Sequence, residues 1–106
     1  MPQKNPVVDP AAMRAHAGDA TRLLKALANE SRLMVLCLLS EGERSVGELN
    51  AELDLSQSAL SQHLALLRND ALVRTRRDAQ TIYYRLADGP ARKLIATLHG
   101  IYCSKP

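Results

Sequence analysis

Apolar residues recur every three or four positions through most of the chain, which is the spacing that places them on one face of an α-helix. This period predicts helices over about residues 10–28, 30–40, 45–53 and 56–68, and a last helix that ends near residue 102. Asp9, Asn29 and Asp88 are the expected N-caps of the first, second and last helices. Between residues 72 and 86 the pattern changes to alternation, which predicts two strands joined by a turn. The chain is therefore expected to be mainly α, with about five helices and a small β-hairpin.

The helix predicted over residues 56–68 has two unlike faces. Leu60, Leu64 and Leu67 fall at positions i, i+4 and i+7, which predicts one buried stripe. Ser56 is placed to be the N-cap, since its hydroxyl can accept a hydrogen bond from a backbone N–H of the first turn. The opposite face carries short polar side chains near the helix start: Gln57, Ser58, Ser61 and Gln62. Such side chains both donate and accept hydrogen bonds, so they suit base edges in a DNA major groove.

The segments on either side of this helix predict a winged helix-turn-helix. Ser45 and Glu48 are spaced as a capping box that opens a short preceding helix, and residues 54–55 leave only a tight link between the two helices. Residues 72–86 then form the predicted hairpin, or wing. Alternation in its return strand predicts these inward side chains: Ile82, Tyr84 and Leu86.

Composition supports this interpretation. The chain has 106 residues with no Trp, no Phe and three Tyr, so one helical domain over residues 9–106 with an aliphatic core is expected. Residues 1–8 contain two prolines and no period, and they are expected to form a disordered tail. No apolar run is long enough to span a membrane and no secretory leader is recognised, so a cytoplasmic protein without a membrane partner is expected.

The net charge of +3 is unevenly distributed. Residues 1–55 hold six Lys or Arg against eight Asp or Glu, whereas residues 56–86 hold five Arg against two Asp. Positive charge thus falls on the recognition helix and the wing, where it can meet DNA phosphates. A winged-helix protein-interaction module without an inducer is the second function class, but it would have little use for these arginines. An enzyme is not expected, because no catalytic group set occurs at a suitable spacing.

These motifs, in this order, resemble the ArsR/SmtB family of bacterial repressors. The resemblance rests on LSQSALSQHL at residues 55–64, LR at 67–68, LV at 72–73 and YYRL at 83–86, and it extends from about residue 20 to residue 102. It implies a homodimeric winged helix-turn-helix repressor that binds double-stranded DNA at a pseudo-palindromic operator. It also implies a dimer interface of the first and last helices, with these contacts: Met13, Ala17, Ala20, Leu24, Leu94, Leu98 and Ile101.

The predicted DNA-binding side chains combine the polar face of the recognition helix with cations at its end and on the wing. They are Ser56, Gln57, Ser58, Ser61, Gln62, His63, Arg68, Arg74, Arg76, Arg77, Gln80 and Arg85. We expect the polar residues to read base edges and the arginines to contact phosphates or the minor groove.

Members of the resembling family are released from DNA by metals or other chemical signals. Their thiolate site reads Cys-Val-Cys, an acidic residue and Leu, whereas this chain has SVGEL at residues 45–49. Their second site uses an Asp and then His residues on the last helix. Asp88 matches its start, but Pro90 and Ile101 occupy the histidine positions. No metal and no cofactor are therefore expected, and a metal-responsive repressor with a non-standard site stays as an alternative.

Two cysteines remain, Cys37 in the apolar second helix and Cys103 at the end of the last helix. Taken singly, Cys37 can be a small apolar core residue and Cys103 an incidental thiol near the chain end. A structural disulfide between them is uncommon in a cytosolic protein. As a pair in these two helices, they resemble the sulfide- and persulfide-responsive branch of the family, with its biofilm-regulator and HlyU-like members. That resemblance implies reactive sulfur species or an oxidant as the inducer, acting by coupling Cys37 to Cys103. Cys103 is the expected nucleophile, because the pattern leaves it less buried.

Overall fold

The structure is a computed structural model that describes residues 5–103. Its elements are α1 (Pro10–Leu27), α2 (Glu30–Ser40), β1 (Arg44–Ser45), α3 (Val46–Glu52), α4 (Gln57–Asn69), β2 (Val73–Asp78), β3 (Thr81–Leu86) and α5 (Pro90–Tyr102). Residues 5–9 are exposed and form no helix or strand, while residues 1–4 of the expected tail lie outside the described residues. The predicted winged helix-turn-helix with five helices is confirmed. Within residues 5–103, no helix is long and apolar enough to cross a membrane.

Side-chain caps begin four of the helices, at the residues expected from the sequence. The capping residues are Asp9, Asn29, Ser45 and Ser56. Ser45 and Glu48 form the predicted capping box: the Glu48 N–H donates to Ser45 Oγ at 3.1 Å, and the Ser45 N–H donates to Glu48 Oε1 at 2.9 Å. This backbone hydrogen bond from Ser45 holds the pKa of Glu48 below its usual range. A cap of this kind typically stabilises a helix by about 1 kcal/mol.

The start of α5 differs from the expectation. The sequence predicts Asp88 as the N-cap, but the cap position is Gly89, which has no side chain to donate or accept. Gly89 has φ of 143°, a conformation that a residue with a Cβ rarely adopts, and Pro90 occupies the first helical position. Asp88 instead faces Arg92 at 3.5 Å. The prediction is wrong because residue spacing does not reveal the backbone turn at the glycine.

The wing is a three-stranded antiparallel sheet, whereas alternation predicts only two strands. The strand order is β1-β3-β2. Strands β2 and β3 pair from Val73 opposite Leu86 at the base of the hairpin to Asp78 opposite Thr81 at its tip. The additional strand β1 has two residues, too few to show an alternating pattern, and it pairs with the far edge of β3.

Helix α2 lies at the centre of the fold. It packs against α1, α4, α5 and β3, and its Val35 and Leu36 are fully buried. The recognition helix α4 is seated by its predicted stripe, because Leu60, Leu64 and Leu67 are all buried. Full burial of one such side chain contributes about 1.5–3 kcal/mol. The core therefore fixes which face of α4 points outward.

Candidate nucleic-acid interface

The recognition helix α4 presents its polar face to solvent. Ser56 Oγ accepts a hydrogen bond from the Ala59 N–H at 3.1 Å, so the helix begins sharply after Ser56. His63 is half-buried, whereas the other polar residues of this face are exposed: Gln57, Ser58, Ser61 and Gln62. None of these side chains makes a hydrogen bond with the rest of residues 5–103, so their donors and acceptors are available to a ligand.

The wing divides its arginines between two faces. Side chains alternate along a strand, so Arg74 and Arg76 share the outer face with Arg85, which lies opposite Arg74. Arg77 instead projects from the inner face, opposite Ile82. This inner face adjoins α4, because Ile82 and Arg68 line the same groove between the sheet and the helix. Arg77 is therefore the wing arginine on the side of the recognition helix.

Arg74 and Arg85 form a pair of like charges. They are opposite each other in the β2–β3 register, and both are exposed. Neither forms an ion pair with any carboxylate in the described part of the chain. Like charges directly opposite each other destabilise a sheet, and an anion between them would relieve the repulsion. The pair is therefore suited to the phosphates of a nucleic acid.

Arg76 has a different environment from the other wing arginines. Its Nη2 lies 2.7 Å from Glu43 Oε1, and its Nε donates to both carboxylate oxygens of Glu43 at 2.9 Å. Its guanidinium carbon lies 4.3 Å from the centre of the Tyr83 ring. The hydrogen bonds to Glu43 raise the pKa of Arg76 above its already high value. Sequence reasoning missed this pair, because Glu43 and Arg76 are distant in the chain and meet only through the strand register.

Cys37 lies on α2 and Cys103 directly follows α5, and these two helices pack against each other. Cys37 is half-buried, Cys103 is exposed, and both are free thiols. Burial raises the pKa of Cys37, and the neighbouring Cys103 raises it further because two thiolates repel each other. Cys37 is therefore held as a neutral thiol, and Cys103 is the accessible one of the pair.

Exposed apolar side chains lie on α1 and at the end of α5. Met13 and Leu24 are about half exposed, at 52% and 58%, while Ile101 is 63% and Tyr102 is 80% exposed. The other residues expected at a dimer interface are exposed or half-buried: Ala17, Ala20, Leu94 and Leu98. These side chains are therefore accessible to a partner.

Between residues 5 and 103, no three His, Cys, Asp or Glu residues are grouped so that they could hold a metal ion. Asp88, which matches the start of the family's last-helix metal site, is paired with Arg92. The described part of the chain thus offers no preformed metal centre.

Comparison with known proteins identifies close relatives. Residues 29–75 match the family model for bacterial regulatory proteins of the arsR family. The chain is 54% identical over 91 residues to the transcriptional activator HlyU of Vibrio cholerae, which covers 86% of this chain and 84% of the relative. It is 50% identical over 93 residues to the biofilm growth-associated repressor of Agrobacterium fabrum, covering 88% of this chain and 80% of the relative.

Solved structures share the fold. Reduced HlyU from Vibrio cholerae superposes with a TM-score of 0.84 at 53% identity, covering 88% of this chain and 98% of that chain. The homodimeric winged helix-turn-helix DNA-binding domain Mb0332 of Mycobacterium bovis superposes with a TM-score of 0.73 at 31% identity, covering 92% of this chain and 89% of that chain.

A recognition helix that follows a short supporting helix and precedes an arginine-bearing wing defines a winged helix-turn-helix protein. By its family match and its relatives, the chain belongs to the ArsR family, and it is a DNA-binding transcriptional regulator. The resemblance inferred from the sequence motifs is confirmed. The relatives are transcriptional regulators and not enzymes.

We expect Cys103 of the reduced protein to be alkylated by iodoacetamide at least about tenfold faster than Cys37 at neutral pH. Alkylation requires a thiolate, and burial both shields Cys37 and raises its pKa, so little of it is ionised. A quenched time course followed by peptide mass spectrometry measures both rates. In denaturant, the control condition, the two rates should converge. Equal rates in the folded protein would contradict the assignment of Cys103 as the accessible thiol.

Proposed function

We propose that the chain is a homodimeric repressor that binds a pseudo-palindromic operator and is released when Cys37 and Cys103 are coupled. One observation supports DNA binding: the polar face of α4 is exposed and unpartnered, and Arg68 and Arg77, which form no ion pair within residues 5–103, lie on its side of the wing. Of the two relatives compared above, one is named an activator and one a repressor. We assign repression, because release by an inducer is the response that a reactive cysteine pair supports.

In this proposal α4 reads bases and the unpaired cations contact the DNA backbone. The base-reading side chains are Gln57, Ser58, Ser61 and Gln62, with Ser56 and His63 at the margins of the face. The backbone contacts are Arg68, Arg74, Arg77 and Arg85, with Gln80 at the wing turn. Arg76 takes a different role, because Glu43 already binds two nitrogens of its guanidinium.

We expect Gln62→Ala to relax base preference at one operator position by about 1–3 kcal/mol, and Arg77→Ala to weaken binding to all sequences and lower the salt slope by about one. Operators are obtained by sequencing the genomic DNA that the purified protein retains. Affinities are then measured by fluorescence anisotropy at several salt concentrations.

Lys93→Ala is the matched control, since it removes an exposed cation from α5, away from the proposed interface. It should leave both base preference and salt slope close to those of the wild type. Wild-type binding to recovered palindromes that is no tighter than binding to random duplex would rule out the repressor.

A homodimer through α1 and α5 is supported by two observations. Large apolar side chains on α1 and at the end of α5 are not covered by the rest of residues 5–103, and the similar domain from Mycobacterium bovis is homodimeric. A two-fold dimer presents two copies of α4 to successive major grooves of one face of the duplex. Half-sites about 10 bp apart, or a small multiple of that distance, are then expected.

Leu98→Glu is expected to dissociate this dimer, because it places a charge in a half-buried apolar position of α5. Sedimentation velocity at micromolar concentration should show a dimer for the wild type and a monomer for the variant. Ala51→Glu, at an exposed position of α3, is the control and should remain dimeric. A monomeric wild type would remove the structural basis for a palindromic operator.

The proposed release step uses a persulfide or polysulfide as the oxidant. The Cys103 thiolate attacks the outer, sulfane sulfur of a donor RS–SH, which forms a Cys103 persulfide and expels the thiolate RS⁻. Cys37, once deprotonated, attacks Sγ of Cys103 and expels HS⁻. The two cysteines are thereby oxidised by two electrons to a disulfide, and the sulfane sulfur is reduced. With a longer polysulfide donor, Cys103 carries a chain of more than one extra sulfur atom. Attack by Cys37 on the first of these, instead of on Sγ of Cys103, leaves one extra sulfur atom in the bridge and so relaxes the limit on the distance between the two Cα atoms.

We expect a persulfide donor to release wild-type protein from its operator and to have no such effect on Cys37→Ser or Cys103→Ser. A bridge links α2, which supports α4, to α5 of the dimer surface, and a loss of ~4 kcal/mol lowers affinity about a thousandfold. The measurements are operator anisotropy and mass spectrometry of the crosslinked peptide. Zinc, cadmium and arsenite are the comparison effectors and should release little. Release of either serine variant like wild type, or strong release by a metal, would contradict the dithiol switch.

A further inference from the structure

We propose that Arg76 is a positioning residue that braces the wing against Glu43, and that it does not contact phosphate itself. The inference rests on the proposed DNA binding, because it concerns how the wing is held for that purpose. It separates one wing arginine from the other three on the basis of contacts within the chain. Glu43, which no sequence motif singled out, becomes part of the DNA-binding machinery.

The geometry of the pair is that of a guanidinium bound side-on by a carboxylate, through two of its three nitrogens. Two nitrogens of Arg76 face the Glu43 carboxylate, with one Nη2 distance of 2.7 Å and two Nε distances of 2.9 Å. The ring of Tyr83 lies 4.3 Å from the guanidinium carbon and covers one of its faces. Paired arginine and carboxylate groups of this kind are geometrically specific, because both side chains are planar.

The brace crosses the whole wing sheet. Glu43 directly precedes β1 at one edge, Arg76 is on β2 at the other edge, and Tyr83 is on the central strand β3 between them. Strand β1 contributes only two residues to the ladder, so backbone hydrogen bonds alone attach this edge weakly to β3. The ion pair therefore adds a side-chain connection between the strands that the backbone does not join directly.

The segment that carries Glu43 is itself fixed to the helices. Arg44, the next residue, donates to Glu52 Oε1 at 2.9 Å, to Glu41 Oε1 at 3.2 Å and to the Leu38 carbonyl at 3.3 Å. These contacts attach the segment to α2 and α3, and α2 packs directly on α4. The Arg76–Glu43 pair thus fixes β2, which carries Arg74 and Arg77, relative to the helices that support the recognition helix.

A phosphate contact by Arg76 is disfavoured by the same geometry. A phosphate could reach only the N–H groups of Arg76 that Glu43 does not bind, and it would then lie close to the Glu43 carboxylate, which repels it. The pair is also neutral overall, so it offers little counterion release on binding DNA. The unpaired arginines of the wing do not carry this cost.

The test compares Glu43→Ala, Arg76→Ala and the double variant with Glu30→Ala, which removes the same charge from an exposed position at the start of α2 that makes no ion pair within residues 5–103. Operator affinity is measured at a temperature at which circular dichroism shows every variant folded. A brace predicts that Glu43→Ala and Arg76→Ala each weaken binding about tenfold, and that the double variant is no weaker than either. Glu30→Ala should bind as tightly as wild type or more tightly. Hydrogen exchange of wing amides should rise in both single variants and not in Glu30→Ala.

Tighter operator binding by Glu43→Ala overturns the proposal. If Arg76 contacts phosphate and Glu43 only competes for it, Glu43→Ala tightens binding while Arg76→Ala weakens it and lowers the salt slope by about one. Unchanged affinity of both folded single variants would show a purely structural pair, which also overturns the proposal. Glu43→Gln keeps the side-chain shape and replaces Glu43→Ala if that variant does not fold. Failure of the wild type to prefer any operator would instead contradict the proposed function.

Discussion

The buried leucines of α4 determine where every other residue of that helix points. Leu60, Leu64 and Leu67 are packed into the core beneath α2, and rotation of α4 about its axis would expose all three. At about 1.5–3 kcal/mol for each buried side chain, such a rotation would cost much of the stability of a small domain. The polar face is therefore oriented by apolar contacts on the opposite side, without any polar contact of its own. DNA can replace solvent at that face without disturbing what holds the helix.

The helices were predictable because their determinants are local. Each cap at Asp9, Asn29, Ser45 and Ser56 bonds to a backbone N–H two or three residues ahead, so residue type and spacing are sufficient to predict it. The start of α5 was not predictable, because it depends on the backbone conformation of Gly89. Strand β1 was missed for a related reason. Two residues have no internal pattern, and they become a strand only by pairing with residues about forty positions later.

The candidate site likewise combines features that local sequence determines with features that only tertiary contacts determine. The polar face of α4 follows from helical periodicity, and the sequence places Cys37 and Cys103 on separate helices. Their relative position depends on how α2 packs against α5, which no local rule describes. Counting charges treats all four wing arginines as equivalent, whereas the structure pairs Arg76 with a carboxylate 33 positions away. Composition therefore locates the charge of an interface, but tertiary contacts decide which cations remain available.

The first half of α1 has a further consequence for how the protein folds. Residues 10–22 are exposed throughout, so this part of the helix buries almost nothing within its own chain. A helical segment of this length is marginal in water without tertiary packing, even when it is rich in alanine. In the proposed dimer its partner would supply that packing, so folding of α1 and association of the subunits become one coupled equilibrium. The helix content of the protein would then depend on its concentration, and the amount of regulator in a cell would determine how much of it is fully folded.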